Sequence, residues 1–409
     1  MLELIPIIFW SLFFILAGFY SVYFILMIVS ARKSRSILKP SITPSLSLVI
    51  PVHNESKGII RKLENSVCLD YPRDKLEIIV VDDCSSDDTY QLVKNFVNDF
   101  SGQTKISLLS LDKWSGKASA LNHAWTHCTG EIVAMTDADI ILEKDALQKI
   151  VRNFGNKQVG AVTGRLRVAE NSSNSTSASE KNYRSIFDII RLGESYIDST
   201  PIFNGLIMAF RRELLGRLDS DIIADDTELA MFSREKGWRA IYDPEVVAYE
   251  FISESKKERA KQKMRRGRGI VQSFLRHKKI LFNPKFSKYG LIIFPSEFFM
   301  HIVSPILLLL TIGTLIPLIA IYSLLIPTNI LLYVLAFVAL SICGLVLFLI
   351  LRTKVFHSEK NVVNPFSVFL SFLTHEFYLV AVLFSYTLRS LHIKKKKEDI
   401  RSAWQTKTS

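Results

Sequence analysis

Leu76-Glu77-Ile78-Ile79-Val80-Val81 runs directly into Asp82-Asp83-Cys84-Ser85-Ser86-Asp87-Asp88-Thr89. The apolar residues form a short β-branched run and the polar stretch stops it, so the segment reads as a buried parallel strand ending in a loop. Asp82 and Asp83 therefore stand at a strand's carboxyl end. The pattern recurs on either side. Leu46-Ser47-Leu48-Val49-Ile50-Pro51 reads as an earlier strand, and Glu131-Ile132-Val133-Ala134-Met135-Thr136 as a later one that runs into Asp137-Ala138-Asp139. In open α/β sheets ligands collect in the crevice outside the carboxyl ends of the strands, so the two acid pairs are expected to face one crevice. A third pair, Asp225 and Asp226, lies further on.

Between the strand-like runs, helical patterns cover 57–69, 89–100, 117–127 and 144–154. This alternation of strand and crossover helix predicts an α/β domain over 44–250, with a Rossmann-like, mixed and mostly parallel sheet. The Ser- and Asn-rich stretch 170–181 reads as a mobile loop. No internal repeat is found.

The two ends of the chain are apolar. Residues 5–29 are uncharged and long enough to cross a hydrocarbon core of about 30 Å, which predicts a transmembrane helix over 1–30. Arg32, Lys33, Arg35 and Lys39 fill a basic linker, 31–43, and by the positive-inside rule place the following domain in the cytoplasm. A cleaved signal peptide fits less well, because the run is too long and Glu3 stands where a basic region belongs. Residues 251–290 read as amphipathic, interfacial helices. A membrane region of about three segments follows over 291–390, with spans at 299–324, 330–351 and 365–388, and a basic tail closes the chain over 391–409. Three crossings would leave Lys394 to Lys397 outside, against the positive-inside rule. Either the last segment, interrupted by His375 and Glu376, is re-entrant or interfacial, or the run beginning near Leu291 holds an extra crossing.

The net charge of +12 sits in juxtamembrane runs, Arg32 to Lys39, Lys256 to Arg268 and Lys394 to Lys397, which suits anionic headgroups and a diphosphate better than nucleic acid. Cys68, Cys84, Cys128 and Cys343 show neither CxxC spacing nor metal-ligand clustering, so reduced thiols are expected. Asn171-Ser172-Ser173 and Asn174-Ser175-Thr176 match the glycosylation acceptor pattern but fall in the part placed in the cytoplasm.

Four segments then arrive in one order: Val49-Ile50-Pro51-Val52-His53-Asn54-Glu55, the Val81 to Thr89 loop, Gly116-Lys117-Ala118-Ser119-Ala120-Leu121-Asn122, and Asp137-Ala138-Asp139. Through them the chain closely resembles the inverting family 2 glycosyltransferases of the GT-A fold. The resemblance continues through Gly160 to Gly164, Phe203-Asn204-Gly205, Ala209 to Arg212 and Ala224-Asp225-Asp226-Thr227-Glu228-Leu229, and ends at Gln262-Lys263-Met264-Arg265-Arg266. It implies a nucleotide-sugar donor, expected to be a UDP-sugar, a divalent Mg²⁺ or Mn²⁺, and a glycan or lipid-linked acceptor; self-association is left open. It assigns Pro51, His53, Glu55, Asp82 and Asp83 to the nucleobase and ribose, and Lys117 to the base or diphosphate. Arg266 joins this donor set. Asp139 becomes the metal ligand and Asp137 a contact to ribose or metal. Phe203, Asn204, Gly205 and Asp225 fall on the acceptor side, Asp226 becomes the general base, and Gln262 and Arg265 serve the departing diphosphate.

Plainer readings accompany these. A lone Asp-x-Asp is common in surface loops, Glu55 and Asp87 can cap their own loops, Lys117 can be an exposed helix-start lysine, and Asp225 can cap a helix over 227–236. The stretch 256–268 can be a lipid-binding basic helix. Two departures from the family pattern bear on the acceptor. Ala224-Asp225-Asp226 stands where the family has Thr-Glu-Asp, and Arg266 stands where many polymer synthases end Gln-x-x-Arg-Trp. The missing indole removes a flat platform on which an acceptor sugar would stack, and no segment matches the gating loop of cellulose or hyaluronan synthases. The layout of anchor, domain and helices resembles bacterial poly-N-acetylglucosamine synthases. Transfer of a single sugar to a polyprenyl phosphate or glycolipid is the rival within the enzyme class, and a transport component with a degenerate transferase domain the rival outside it.

Overall fold

The β-branched runs become strands of one sheet in the computed structural model, which describes residues 4–34, 40–168, 175–250, 256–325 and 374–388. After a first helix α1 (Leu4–Ser34), strands β1 (Leu46–Val52), β2 (Leu76–Asp82), β3 (Lys105–Ser110) and β4 (Ile132–Met135) pair in parallel, with β1 between β2 and β4. Strands β5 (Ile140–Leu142), β6 (Val159–Val168), β7 (Met208–Arg211) and β8 (Arg239–Glu250) extend the order to β3-β2-β1-β4-β7-β6-β8-β5. β7 is antiparallel to β4 and β6, β5 is antiparallel to β8, and β6 and β8 are parallel, so the sheet is mixed and mostly parallel as expected.

Strand alternation sorts the side chains into two apolar layers. Leu48, Ile50, Ile78 and Val80 pack on one face under α2 (Ile59–Val67), α3 (Thr89–Asp99) and α5 (Ala146–Val151). Val49, Ile79, Val81 and Met135 pack on the other under α4 (Lys117–Trp125) and α7 (Asp225–Glu235). Each of these fully buried side chains contributes about 1.5–3 kcal/mol. The chain leaves β1 to build β2 and β3 on one side and returns to β4 on the other, and this reversal opens a crevice at the carboxyl ends of β1, β2 and β4.

The crossover helices α2 to α5 fall within the expected spans, and one correction concerns a later helix. The Ser- and Asn-rich stretch is not a loop throughout, because α6 (Ser175–Ile197) begins inside it; residues 170–174 and both glycosylation patterns' asparagines lie outside the described residues. α6 crosses α1 closely at Gly193, where a Cβ would lie 2.4 Å from the Met27 carbonyl oxygen. Beyond β8 come α8 (Lys256–Arg276) and a helical run from Tyr289 that includes α9 (Phe294–Phe298) and α10 (Ser304–Leu325). A last helix, α11, spans 374–388. Among the described residues, Leu4–Lys33 and Tyr289–Ile319 are long and apolar enough to cross a membrane, and Ile7, Phe14, Val22, Ile306, Leu310 and Ile316 are exposed on them. The expected span 330–351, part of the span 365–388 and the tail 391–409 lie outside the described residues. His375 and Glu376, which interrupt the last apolar segment, are buried or half-buried partners of other helices: Glu376 accepts from Tyr20 Oη at 2.7 Å and from Ser304 Oγ at 2.8 Å.

Candidate active site

The loops after β1 and β2 are zipped together by short polar side chains. Asn54 adopts φ +56°, a left-handed conformation that asparagine tolerates better than most residues, and its Oδ1 accepts from the Ser86 backbone N–H at 2.8 Å. Thr89 Oγ1 accepts from Glu55 N–H at 2.8 Å, and Asp87 accepts from Ser56 N–H and Thr89 N–H, so Asp87 has the loop-capping job while Glu55 keeps its carboxylate for the crevice. Asp82 and Asp83, expected to meet the base, are buried at 3% and 4% exposure. Asp82 accepts from Ser85, and both Asp83 oxygens accept from backbone N–H groups, Ser115 at 2.8 Å and Gly116 at 2.7 Å. The β2 pair thus fixes the shape of the loop leading into α4, where Gly116 at φ +85° turns the chain. Beside Pro51, at the end of β1, His53 Nδ1 contacts the Asp83 carbonyl oxygen at 2.9 Å, and its ring lies 6.3 Å from that of Trp114, which is 68% exposed. Trp114 was not singled out from sequence, although a lone indole in the polar Lys113-Trp114-Ser115-Gly116 loop is a signal for a flat ligand.

Asp137 and Asp139 occupy the turn between β4 and β5, and a buried lysine holds that turn from beneath. Lys62, with no exposed surface, donates to Thr136 Oγ1 at 2.9 Å and to the Ile140 carbonyl at 2.6 Å, gripping both flanks of the acid pair. Burial pushes its ammonium down to about 7, against the pull of Asp137 and Asp139. Sequence reading passed over Lys62, because a lysine in a helical pattern is ordinarily solvated. The carboxyls of Asp139 and Glu55 are both held above the usual range, by burial first and then by neighbouring acids; for Asp139 these are Asp137 and Glu250, and for Glu55 they are Asp139, Asp137 and Asp87. Asp139 makes no ion pair among the described residues.

Lys117 joins the second acid pair to the third. Its Nζ lies 2.8 Å from Asp137 Oδ1 and 3.2 Å from Asp225 Oδ2. Burial works against its charge, but Asp137 and Asp225 more than offset that and raise its pKa. α7 begins at Asp225 with Ala224 as its N-cap, so neither aspartate is the cap expected for a helix over 227–236. Both lie in the first turn, where the helix dipole favours negative charge. Burial raises the pKa of Asp225, opposed by Lys117 and reinforced by the Asp226 charge. Asp226 is 8% exposed; its Oδ1 accepts from Thr227 N–H at 2.7 Å, and its Oδ2 faces Gly205, where a Cβ would approach to 3.2 Å. Next to that glycine, Asn204 is buried and spans Gly164 O and Arg266, whereas Phe203 is fully buried in the apolar layer against Phe210 and offers the crevice only its carbonyl.

α8 buttresses the start of α7. Gly269 meets Ala224 where a Cβ would stand 2.6 Å from the alanine's Cβ, and Gln272 Oε1 accepts from Ile223 N–H. Gln262 and Arg265 are exposed and make no hydrogen bond or ion pair among the described residues. Arg266, expected with the donor, instead donates to Asn204 Oδ1 at 3.3 Å and Phe203 O at 3.5 Å. Just past α8, His277 Nδ1 lies 2.7 Å from Glu235 Oε1, and its Nε2 is 3.2 Å from Glu228 Oε1 without hydrogen-bonding alignment. Burial would depress its pKa, but the two α7 carboxylates outweigh that and lift it to about 9. A histidine whose folded value lies above its unfolded 6.5 stabilises fully below pH 6.5 and loses that contribution as pH rises through about 9. The rise corresponds to about 3 kcal/mol. Thermal melts are expected to fall across this window, and the His277→Gln variant to lack that component of the fall; parallel curves for the two proteins would contradict the assignment.

The crevice therefore presents an acid turn, a lysine shared between two acid pairs, and a buried carboxylate one turn along. Asp139, without a cation of its own and crowded by like charge, fits a divalent ion, with Asp137 and Glu55 adjacent. No group of three or more His, Cys, Asp or Glu side chains forms a metal cage among the described residues. Residues 47–219 match the family model described as glycosyl transferase family 2. Over that stretch the chain is similar to family 2 glycosyltransferases. It is 32% identical over 255 residues to "Probable glycosyltransferase YdaM" of Bacillus subtilis (strain 168), covering 59% of this chain and 60% of that protein. It is 26% identical over 275 residues to the poly-beta-1,6-N-acetyl-D-glucosamine synthase of Staphylococcus aureus (strain COL), covering 66% of this chain and 65% of the synthase. The chain thus spans somewhat less than two thirds of each relative's length. Among solved structures, the mannosyltransferase PcManGT from Pyrobaculum calidifontis, in complex with GDP-Man and Mn²⁺, matches with a TM-score of 0.71 and 28% identity over 95% of this chain and 99% of that one.

Proposed function

We propose that the protein is a membrane-bound, metal-dependent, inverting glycosyltransferase that passes a sugar from a nucleotide diphosphate to a glycan or lipid-linked acceptor. One observation carries this reading: Lys117 ties the Asp137–Asp139 turn to Asp225, beside Asp226, so that donor and acceptor halves share one crevice. In it, Asp139 with Asp137 would hold Mg²⁺ or Mn²⁺, which when bound neutralises the donor's diphosphate. His53, Glu55 and Trp114 line the nucleoside end, on a loop shaped by Asp82 and Asp83. Lys117 faces the diphosphate, and Arg265 and Gln262, exposed on α8, are assigned to the departing diphosphate. Asp226 takes the proton of the acceptor hydroxyl as that oxygen attacks the anomeric carbon and the nucleoside diphosphate leaves from the opposite face.

α1 and the run from Tyr289 are assigned to the membrane, with the 44–250 domain on the cytoplasmic side beside the basic linker. Incubation of the purified protein with UDP- and GDP-sugars, Mn²⁺ and membrane lipids tests the reading. Release of nucleotide from one donor class is expected; the absence of both turnover and nucleotide-sugar binding would favour a transport component with an inactive domain.

A further inference from the structure

A cavity of about 250 Å³, with Asn204 in its lining, lies between α6, α8 and α11. Four cations line it, Arg184 and Arg191 of α6 and Lys263 and Arg266 of α8, against one carboxylate, Asp188. That carboxylate is engaged by Arg165 Nε at 3.3 Å, and Arg184 is engaged by Glu250 at 2.6 Å. Arg191 differs from both. It is 9% exposed, its Nε is buried without a hydrogen-bond partner, and among the described residues its guanidinium has no ion pair, only the Phe187 ring at 5.9 Å. Glu194, one turn on, is taken by Tyr23 and Thr200. Buried cations are ordinarily paired; Asp188 and Glu194 act on Arg191 from nearby without forming an ion pair with it, and with four cations facing one lining carboxylate the cavity carries an excess of positive charge that suits an anion.

Its position says what kind of anion. One wall is the transferase domain, through Leu166 and Asn204, and the other is α11 and His301 of the apolar helical run, through Tyr378, Leu379 and Val382. Asn204 accepts from Arg266 inside the cavity and is followed by Gly205, against which Asp226 packs. We propose that this cavity binds the phosphate of a lipid-linked acceptor, gripped by Arg191, Lys263 and Arg266, with the lipid chain leading away along the apolar helices. The assignment rests on the glycosyl-transfer reading and supplies the acceptor class that the missing tryptophan left open. Guanidinium groups recognise phosphate through paired, charge-assisted hydrogen bonds, and no flat sugar platform is then required.

Native mass spectrometry of the full-length protein, with a polyprenyl phosphate, the corresponding polyprenol or inorganic phosphate, tests it. The protein should retain the phosphorylated lipid about tenfold or more better than the polyprenol, inorganic phosphate should not displace it at equal concentration, and Arg191→Gln should lose about tenfold of that retention. Should Arg191→Gln fail to fold, Lys263→Gln, at an exposed position, is expected to show the same direction of loss. Equal retention of phosphate and alcohol, or no loss in a folded variant, would overturn the proposal, and full competition by inorganic phosphate would overturn its lipid part. Mn²⁺-dependent nucleotide-sugar binding, measured separately, should survive in Arg191→Gln. Its absence from the unmodified protein, with lipid retention intact, would refute glycosyl transfer while leaving the anion site standing.

Discussion

Replacing Asp226 with asparagine is expected to lower kcat by about 10²–10⁴-fold, a loss of about 3–5.5 kcal/mol, while donor affinity stays nearly constant. The substitution keeps the shape of the side chain. An asparagine oxygen can still accept from Thr227 N–H, where Asp226 Oδ1 now sits at 2.7 Å, and the group facing Gly205 stays the same size. What disappears is the ability to accept a proton. The neighbouring Asp225 does not substitute for it, because its carboxylate is drawn to Lys117 at 3.2 Å. Removing the Asp226 charge also relieves one of the influences that raise Asp225, so the Asp225–Lys117 contact should tighten rather than break. Steady-state kinetics on the folded variant decide the matter; retained turnover would remove Asp226 from the chemistry.

The second large effect is expected from Asp139→Asn. It takes one of two hard oxygen ligands from the turn that Lys62 holds, and leaves Asp137 already shared with Lys117. Divalent ions bound through one or two carboxylates plus donor phosphates lose much of their hold when a carboxylate is lost. Donor turnover at fixed Mn²⁺ should fall by about 10²-fold or more, with partial recovery as Mn²⁺ is raised, and chelation should silence the unmodified protein. A variant with unchanged Mn²⁺ dependence would transfer the ligand role to Glu55 and Asp137. Stability should change little, because Asp139 makes no ion pair among the described residues and loss of its charge relieves repulsion from Asp137 and Glu250.

The position of Asp139 just past a strand end was legible in the sequence because strands announce themselves locally, whereas Asp226, in the first turn of α7, was reached only through the family resemblance. β1, β2 and β4 are short β-branched runs that stop at polar residues, and the parallel sheet then places their ends together. What joins the ends was hidden. Lys117 looks like any lysine at a helix start, and its two partners lie apart, one in the β4–β5 turn and the other in the first turn of α7. Lys62 contradicts the usual burial of its type, so no local pattern reveals that it grips Thr136 and Ile140. The side-chain directions in Phe203-Asn204-Gly205 are likewise set by tertiary packing, which turned the phenylalanine inward and the asparagine toward Arg266. Arg265 and Arg266 are adjacent, yet only the second reaches a buried partner, a choice fixed by how α8 lies on α7. The start of α6 within a Ser- and Asn-rich stretch defeated a compositional reading, and further along the same helix packs closely on α1 at Gly193.

The configuration of the new glycosidic bond tests the central claim most directly. With an α-linked nucleotide sugar and an accepted acceptor, one-proton NMR of the product should show a β linkage, as direct displacement assisted by Asp226 requires. An α-linked product would contradict the account.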